Sequence, residues 1–347
     1  MIFFRNGTFY KSVPTGEDQA SSLAGNPYLY ISYDECYSED TEVLTNDGWK
    51  HFVDVRVGDM VPSLNINTGK VEDAKVRAVI DKKYKGKMVQ FGGAGHRFDM
   101  LVTPGHRMVA ATRGSSWSKN RYKLFDFHEA RELIGKEHLV NQTFKRGDYP
   151  LPETVTINGY IKKTRLGRSF SRDDIKVPSD AYFEFIGLFL SEGSINGGSV
   201  IISQTPKGNA YTRIPVVLDA LGFKWQEKRG GFFICNYQLV RHLEREVPKY
   251  SYRKRIPRWM LNVNKKLLNS LFNGLVLGDG WMKENNKCGY IGTSSKGLAD
   301  DYMELFLKLG FVPSTKRIPE NKMGGWVNGQ RIISRRDFYV VNFRTEY

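Results

Sequence analysis

The sequence predicts a multidomain fold in which an all-β domain precedes an α+β domain with a pseudo-two-fold internal repeat. From residue 36 to about residue 145, short alternating strands are separated by turn signals, as in a compact all-β domain. From residue 146 onward, one pattern of helices and strands occurs twice, which indicates a duplication. We therefore expect three segments, at 1–35, 36–145 and 146–347.

The excess of positive charge lies almost entirely in the third segment. The chain has 347 residues and a net charge of +15, from 52 Lys and Arg against 37 Asp and Glu. Up to residue 140 the basic and acidic residues number 19 and 18, and in the remainder 33 and 19. So uneven a distribution is typical of a domain that binds a polyanion, although a merely soluble basic surface is the alternative.

Composition also excludes some classes of protein. No run of about 18 apolar residues is present, so we expect no membrane span, and the N-terminus does not resemble a signal peptide. The three cysteines, Cys36, Cys235 and Cys288, fit neither a disulfide framework nor a zinc site. These features favour a reducing, cytoplasmic location.

Residues 1–35 end in "NPYLYISYDE", an apolar strand closed by two carboxylates. A Walker B strand of a nucleotide hydrolase ends in the same way, with one acid for Mg²⁺ and one that polarises water. The stretch resembles phage terminase large subunits. No Gly-rich phosphate loop precedes it, so we interpret it as an ATPase fragment that flanks the next domain, and a working ATPase is the poorer alternative.

The all-β segment carries two motifs that belong together. "CYSEDTEVLTNDGW" and "VRVGDMV" are followed by "LVTPGHRMV", and this series resembles the N-terminal splicing half of inteins, the Hint fold. The resemblance implies that Cys36 is a nucleophile, His106 a general acid and Thr103 a hydrogen-bonding partner. Attack of the thiol on the preceding carbonyl, an N–S acyl shift, needs a proton for the leaving nitrogen. The alternatives are a buried structural thiol and an ordinary turn at "TPGH".

The third segment repeats a helix with small residues four positions apart. "FIGLFLSEGSI" begins near the start of a first repeat, about 181–250, and "FNGLVLGDGWM" does so in a second, about 268–347. Small residues at this spacing let two helices pack closely, so Glu192 and Asp279 should meet at the helices' C-terminal ends. The helix dipole disfavours carboxylates there, and the pair therefore predicts a bound cation. The alternative is a helix pair with glycine caps.

These helices resemble the signature helices of a double-motif LAGLIDADG (DOD-type) homing endonuclease. "KRIPRWM" (254–260) occupies the place of that family's intervening motif. The resemblance implies hydrolysis of double-stranded DNA at a specific site, with Mg²⁺ held by Glu192 and Asp279, and Lys254 as a catalytic lysine. It also implies a monomeric endonuclease with pseudo-two-fold symmetry.

Together these features predict an intein with a nested homing endonuclease, in a prokaryotic or phage-infected cell. The His-Asn end of a C-terminal splicing half does not occur in the sequence, so we expect splicing only with such a half supplied in trans, or from a longer reading frame. The alternative function is a maturase-like protein that binds DNA or RNA without cutting it and carries a relic splicing domain.

Overall fold

A computed structural model describes most of the chain from residue 36 onward. The described residues are 2–3, 9–10, 36–38, 40–65, 70–80, 84–92, 99–112, 126–135, 138–140, 145–146, 149–163, 169–283, 287–322, 324–327 and 330–345. The chain divides into two compact units, residues 1–147 and residues 148–345. The terminase-like strand predicted at 26–35 lies outside the described residues.

The described part of the first unit consists of strands and two short 3₁₀ turns, Phe52–Asp54 and Ala130–Leu133. The strands are β1 Ile2–Phe3, β2 Phe9–Tyr10, β3 Glu42–Thr45, β4 Gly48–His51, β5 Met60–Asn65, β6 Lys70–Lys75, β7 Val89–Gly92, β8 Asp99–Val102, β9 Arg107–Thr112, β10 Asp126–Glu129, β11 His138–Val140 and β12 Lys145–Arg146. All the pairings are antiparallel except that of β12 with β6.

One apolar cluster holds the first unit together. Strands β3, β5, β7, β8 and β9 each contribute side chains to it. Its fully buried members are Val43, Val55, Val61, Phe91, Met100, Val102, Met108, Ala110, Ala130 and Leu133. The motifs predicted from the sequence therefore contribute directly to the core, because Val102 precedes Thr103, and Met108 follows His106 by two residues.

The second unit contains five helices among its described residues. They are α1 Ser179–Glu192, α2 Arg213–Ala220, α3 Tyr237–Glu246, α4 Lys265–Asp279 and α5 Lys296–Leu309. Its strands are β13 Thr154–Ile157, β14 Tyr160–Lys163, β15 Ser169–Arg172, β16 Ile175–Pro178, β17 Gly193–Asn196, β18 Ser199–Ile202, β19 Gln226–Lys228, β20 Gly231–Ile234, β21 Gly280–Met282, β22 Cys288–Thr293, β23 Phe311–Ile318, β24 Gly324–Val327, β25 Gln330–Ile333 and β26 Phe338–Thr345. Two 3₁₀ turns, Ser251–Arg253 and Arg258–Leu261, connect the repeats.

The two repeats have the same topology. Each begins with a long helix, α1 or α4, and each forms a four-stranded antiparallel sheet. The strand order is β17-β18-β20-β19 in the first sheet and β21-β22-β26-β23 in the second, so equivalent strands occupy equivalent places. The second repeat adds a hairpin, β24–β25, where the first has a tight turn between β19 and β20. The internal duplication predicted from the sequence is thus also present in the topology.

Helices α1 and α4 pack with their backbones in contact. A methyl group added at Gly187 would lie 2.8 Å from the amide nitrogen of Leu275, and one added at Gly274 would lie 2.9 Å from that of Leu188. No side chain fits at such distances, so the two glycines are what allow this approach. The apolar residues around them are buried, and they make this helix pair the centre of the unit.

In the part of the chain that the structure describes, none of the helices is both long enough and apolar enough to cross a membrane.

Candidate functional sites

Glu192 and Asp279 lie where the sequence predicts, on the last residues of α1 and α4. The hydroxyl of Ser191 donates to the carbonyl oxygen of Leu275 at 3.4 Å, across the helix interface. A methyl group at Gly278 would lie 3.4 Å from Cγ of Glu192, so the end of one helix contacts the end of the other. The two carboxylates therefore share one site.

The acidic pair is electrostatically unfavourable as it stands. Desolvation raises the pKa of Glu192, and the negative charge of Asp279 raises it further. Asp279 as a residue is exposed, yet protein atoms around its carboxyl group desolvate it partly and raise its pKa too. Both groups also sit at the negative ends of helix dipoles. The chain thus holds two carboxylates where their charge is costly, which is typical of a functional site.

Lys254 supplies the positive charge beside this pair. Its ammonium group is buried and donates to the carbonyl oxygens of Phe189 and Leu190, each at 2.9 Å, and to that of Gly193 at 2.8 Å. Burial lowers the pKa of Lys254 to about 8, against the opposing attraction of both carboxylates. The structure therefore brings Lys254, Glu192 and Asp279 together, with the lysine bonded to the end of α1.

The "KRIPRWM" segment is fixed to α5 by ion pairs between partly exposed arginines and buried carboxylates. Arg255 binds Asp301 through two hydrogen bonds of 2.8 and 2.6 Å. Arg258 binds Glu304 in the same way, at 2.7 and 3.0 Å. Paired guanidinium and carboxylate groups give a fixed geometry as well as energy. These contacts hold the segment in place and so determine where the ammonium group of Lys254 lies.

A divalent cation suits the acidic pair. Among the described residues, the structure contains no group of three or more His, Cys, Asp or Glu side chains placed to hold a metal. If a cation binds here, Glu192 and Asp279 would be its two carboxylate ligands, and waters or a ligand's phosphate oxygens would fill the other positions. Mg²⁺ commonly binds in this way, whereas zinc needs three or four protein ligands.

The glycine-cap alternative accounts for other glycines of the second unit, but not for those that follow the acids. Gly310 ends α5 in the left-handed conformation, with φ of 87°. Gly193 and Gly280 have φ of −87° and −109°, which any residue can adopt. Glycine is needed at both positions because a side chain would clash with the preceding helical turn. A methyl group at Gly193 would lie 2.6 Å from Cα of Phe189, and one at Gly280 would lie 2.7 Å from Cα of Val276. The strands therefore leave their helices at a sharp angle directly after the acids.

In the first unit, Cys36 and Thr103 form a reciprocal pair. The amide of Cys36 donates to Oγ1 of Thr103 at 3.0 Å, and the amide of Thr103 donates to the carbonyl oxygen of Cys36 at 3.0 Å. Thr103 is fully buried, so the start of the segment is anchored to the end of β8. The structure thus brings together the predicted nucleophile and its predicted hydrogen-bonding partner.

His106 is buried behind the same pair. Its Nε2 forms a 2.8 Å hydrogen bond with the hydroxyl of Tyr37, and its amide donates to the carbonyl oxygen of Thr103. Burial lowers the pKa of His106 to about 3, so its imidazole is neutral near pH 7. The acid role predicted for His106 stays a prediction, and the proton would have to come from a neutral ring N–H.

Two contacts of the sites have no clear signal in the sequence. Tyr37 binds His106, and its only marker is its position next to Cys36. Nε2 of Gln204 lies 3.4 Å from Oε1 of Glu192 and thereby lowers the pKa of that acid, against the other effects. The strand registers align Ile202 with Ile291 and hence Gln204 with Thr293, so comparison of the repeats does not single out Gln204.

Residues 267–344 match the family model of the LAGLIDADG-like domain. This range begins in α4, ends in β26 and includes Asp279, so it covers one complete repeat. The chain contains a LAGLIDADG-like domain. That part of the sequence prediction is confirmed, and the first repeat, with Glu192, is related to the matched region by the shared topology.

Three curated relatives have unrelated names. The chain is 27% identical over 301 residues to an ATP-dependent Clp protease proteolytic subunit of Chlamydomonas moewusii, with 82% of this chain and 28% of the relative covered. It is 24% identical over 326 residues to an ATP-dependent DNA helicase of Thermococcus kodakarensis, with 81% and 28% covered. A third match, 28% identical over 137 residues, covers 39% of this chain and 19% of a ribonucleoside-diphosphate reductase subunit beta of Aquifex aeolicus. The matched regions thus span between a fifth and just over a quarter of these relatives.

Two solved structures align with about half of the chain. The N-terminal LAGLIDADG domain of WhiA is 12% identical, with a TM-score of 0.28, and the alignment covers 48% of this chain and 75% of that domain. A variant of I-DmoI in complex with its target DNA in the presence of Mg is 15% identical, with a TM-score of 0.29 and coverage of 48% and 89%. Similarities this distant leave the site to be judged from the chain's own residues.

Proposed function

We propose that the second unit is a site-specific endonuclease that cuts double-stranded DNA with the help of a divalent cation. The observation that carries the proposal is the acidic pair of Glu192 and Asp279, at the ends of two packed helices in a unit with a LAGLIDADG-like domain. A pair so unfavourable by itself gains stability when a cation binds. Mg²⁺ is the cation we expect, and as a Lewis acid it would polarise a phosphodiester for attack by water.

The chain's own residues supply the rest of the site. Glu192 and Asp279 would be the cation's ligands, while Gln204 fixes the orientation of Glu192 through its amide. Lys254 holds the end of α1 and offsets part of the carboxylates' repulsion. The rigid contact of α1 with α4 keeps the two acids at a constant separation, as preorganised catalysis requires.

DNA is the polyanion that fits the charge of this unit. The residues after position 140 carry 33 basic side chains against 19 acidic ones. Two antiparallel sheets, one from each repeat, begin immediately after the acids, so a duplex bound along the sheets would bring its backbone to the site. Binding through many phosphate contacts should weaken steeply as salt is added.

The test is cleavage of a DNA that carries the host gene without the segment that encodes the chain from Cys36 onward. With Mg²⁺, the full chain should cut this DNA near the point of insertion, and chelation should stop the reaction. Glu192→Gln and Asp279→Asn should abolish cutting while DNA binding remains, and Glu244→Gln, at an exposed position on α3, is the matched control. Cutting by the double variant would refute the assignment.

The alternative, a maturase-like protein that binds nucleic acid without cutting it, gives a different result in the same assay. Such a protein would bind the DNA or an RNA copy equally well with or without Mg²⁺, and none of the substitutions at the acids would matter. The presence of both Glu192 and Asp279 at the ends of the two packed helices favours the endonuclease, because a protein that had lost cleavage would be free to lose either acid.

For the first unit, we propose the role of an N-terminal splicing half-domain. The support is twofold. The chain matches a protease subunit, a reductase subunit and a helicase over only 19 to 28% of each, as expected of an insertion found in unrelated hosts. In addition, Thr103 holds the amide of Cys36, the atom that must leave if the preceding peptide bond is broken.

The reaction would be an N–S acyl shift. Sγ of Cys36, as thiolate, attacks the carbonyl carbon of Glu35, and a C–S bond replaces the C–N bond. The thiol's proton, taken up by a base or by solvent, is balanced by one delivered to the departing amine. His106 is the proposed donor of that proton. The product is a thioester, which an external thiol can exchange.

Mass spectrometry tests this second proposal. When a complementing C-terminal half or a strong external thiol is added, the chain should release a fragment that ends at Glu35. Cys36→Ala should prevent release and His106→Ala should slow it, whereas Cys235→Ala, at an exposed position in the second unit, should have no effect. Release that persists in Cys36→Ala would exclude Cys36 as the nucleophile.

A further inference from the structure

An exposed aromatic pair lies directly beyond one of the acids. Trp281 and Tyr290 are 51% and 42% exposed, respectively. Their rings stack at a centroid distance of 5.8 Å and an angle of 27°. Trp281 follows Asp279 by two residues and pairs with Tyr290 across β21 and β22. Large aromatic side chains so exposed, beside a functional site, indicate a surface that contacts a ligand.

The pair belongs to a row of side chains on the outer face of the second sheet. Across the strands, Tyr290 is opposite Asn342, and Asn342 is opposite Ser314. Asn342 is exposed, and Ile291 and Val341, on the alternate positions, are fully buried. The row is therefore a continuous surface of two aromatic rings, an amide and a hydroxyl. Such a surface can both make apolar contacts and form hydrogen bonds.

The first repeat has a different row in the equivalent place. There Ser194 pairs with Ile201, Ile201 with Phe233, and Phe233 with Gln226. Ser194 thus occupies the position of Trp281, and Ile201 that of Tyr290. The two halves share a backbone but not these side chains, so the aromatic pair is not required by the fold. A surface that differs between two copies of one scaffold is where a difference in recognition would lie.

The chemistry of the row points to a particular feature of DNA. In the major groove, the only apolar group at a base edge is the methyl group of thymine, and it is read by apolar and aromatic side chains. An exposed Asn beside it can form two hydrogen bonds to adenine. The flanking Lys283 and Lys287 are exposed and provide positive charge next to the rings. The ligand that fits this surface best is therefore a thymine-containing base step of a DNA duplex.

Given the proposed function, on which this inference rests, we propose that Trp281 and Tyr290 read thymine methyl groups of the target DNA close to the cleavage site, in one half of the site only. In the other half, Ser194 stands where Trp281 stands here, so the stacked aromatic pair that would make this contact is missing. The target is therefore expected to be asymmetric, with a thymine requirement on the side of the second repeat.

The test begins with selection of DNA duplexes from a randomised library by the full wild-type chain, without divalent cations. Each thymine of the selected duplex is then replaced by deoxyuridine, which lacks only the methyl group. Binding by the wild type should weaken about fourfold at one or two adjacent positions in one half. The variants Trp281→Ala and Tyr290→Ala should bind the thymine and deoxyuridine duplexes equally. Ser194→Ala, at the equivalent position of the first repeat, should discriminate as the wild type does.

A purely structural role for the pair predicts other results. If Trp281→Ala only weakens the β21–β22 hairpin, its affinity for all duplexes falls equally and the thymine preference remains, which would overturn the inference. Trp281→Phe keeps an aromatic ring in the hairpin and should keep part of the preference. If the selected duplex is cut with Mg²⁺ but no thymine matters, the inference fails and the proposed function stands. If the wild type selects no sequence, both fail.

Discussion

Lys254 is hydrogen-bonded to the C-terminal end of α1, the helix that carries Glu192. Its ammonium group donates to three carbonyl oxygens, those of Phe189, Leu190 and Gly193, and the last of these directly follows the acid. The resemblance of the sequence to LAGLIDADG endonucleases implies a catalytic lysine at this position, which stays a prediction. The hydrogen bonds give it a structural task as well, because they tie the last turn of α1 and the residue after it to one charged donor.

Replacement of Lys254 should therefore lower the stability of the second unit. Lys254→Met removes three hydrogen bonds that a buried ammonium group donates, so the free energy of unfolding should fall by about 3 kcal/mol or more. Thermal unfolding measures the loss. Lys266→Met, on an exposed position of α4, is the control. A variant that unfolds like the wild type but no longer cuts DNA would show that Lys254 acts on the substrate and not on the helix.

Removal of the acidic charges should stabilise the protein when no metal is present. The pKa values of Glu192 and Asp279 are raised in the folded chain, so folding favours their protonated forms, and that contribution is lost as the pH rises through the raised values. At pH 7, Glu192→Gln and Asp279→Asn should each add about 0.3 to 1 kcal/mol, the size of a helix-dipole interaction.

With Mg²⁺ present, the wild type should gain stability that the amide variants do not gain. Mg²⁺ should raise the unfolding temperature of the wild type and leave the amide variants unchanged, because only the wild type offers it two carboxylates. Differential scanning calorimetry with and without Mg²⁺ distinguishes the two conditions. Equal stabilisation of the wild type and the double variant would exclude this pair as the binding site.

The contact between α1 and α4 should not tolerate a single added methyl group. In Gly274→Ala the new carbon would lie 2.9 Å from the amide nitrogen of Leu188, and the neighbour is backbone that cannot turn aside. We expect a loss of about 1 to 3 kcal/mol, although alanine favours a helix more than glycine does. Asn269→Ala, on an exposed position of the same helix, should be neutral or slightly stabilising. Chemical denaturation of both variants gives the comparison.

Acid should weaken the first unit through His106. Its pKa is about 3 when folded, against 6.5 as the ordinary value, so the unfolded chain takes up a proton that the folded one does not. The contribution of His106 to stability is thus fully present above pH 6.5 and falls by about 1.4 kcal/mol per pH unit between there and pH 3.

The comparison with His106→Asn isolates this effect. The wild type should lose its advantage in stability over the variant as the pH falls through that window, as followed by denaturant-dependent hydrogen exchange of the amides in β9, a strand of the first unit. His51→Asn, at an exposed position, controls for the loss of an imidazole. A difference that does not change with pH would mean that His106 is protonated in the folded chain.

The sequence by itself determined the duplication, the helices that end at Glu192 and Asp279, and the meeting of those ends. Each of these depends on local information. Small residues at helical spacing fix which faces can approach, and an acid followed by glycine fixes where the helix stops. The family match at residues 267–344 recovers only the second repeat, so the first was found through its similarity to its partner.

Only the tertiary structure decided the contacts that complete the sites. Lys254 reaches carbonyl oxygens 61 to 65 residues away, and the amide of Cys36 reaches a hydroxyl 67 residues away. The partner of His106, and the side chains aligned with Trp281 across the sheet, likewise depend on how distant segments pack. No local periodicity encodes such pairs, because the free energy that forms them comes from burial of the whole core and not from the propensities of the residues involved.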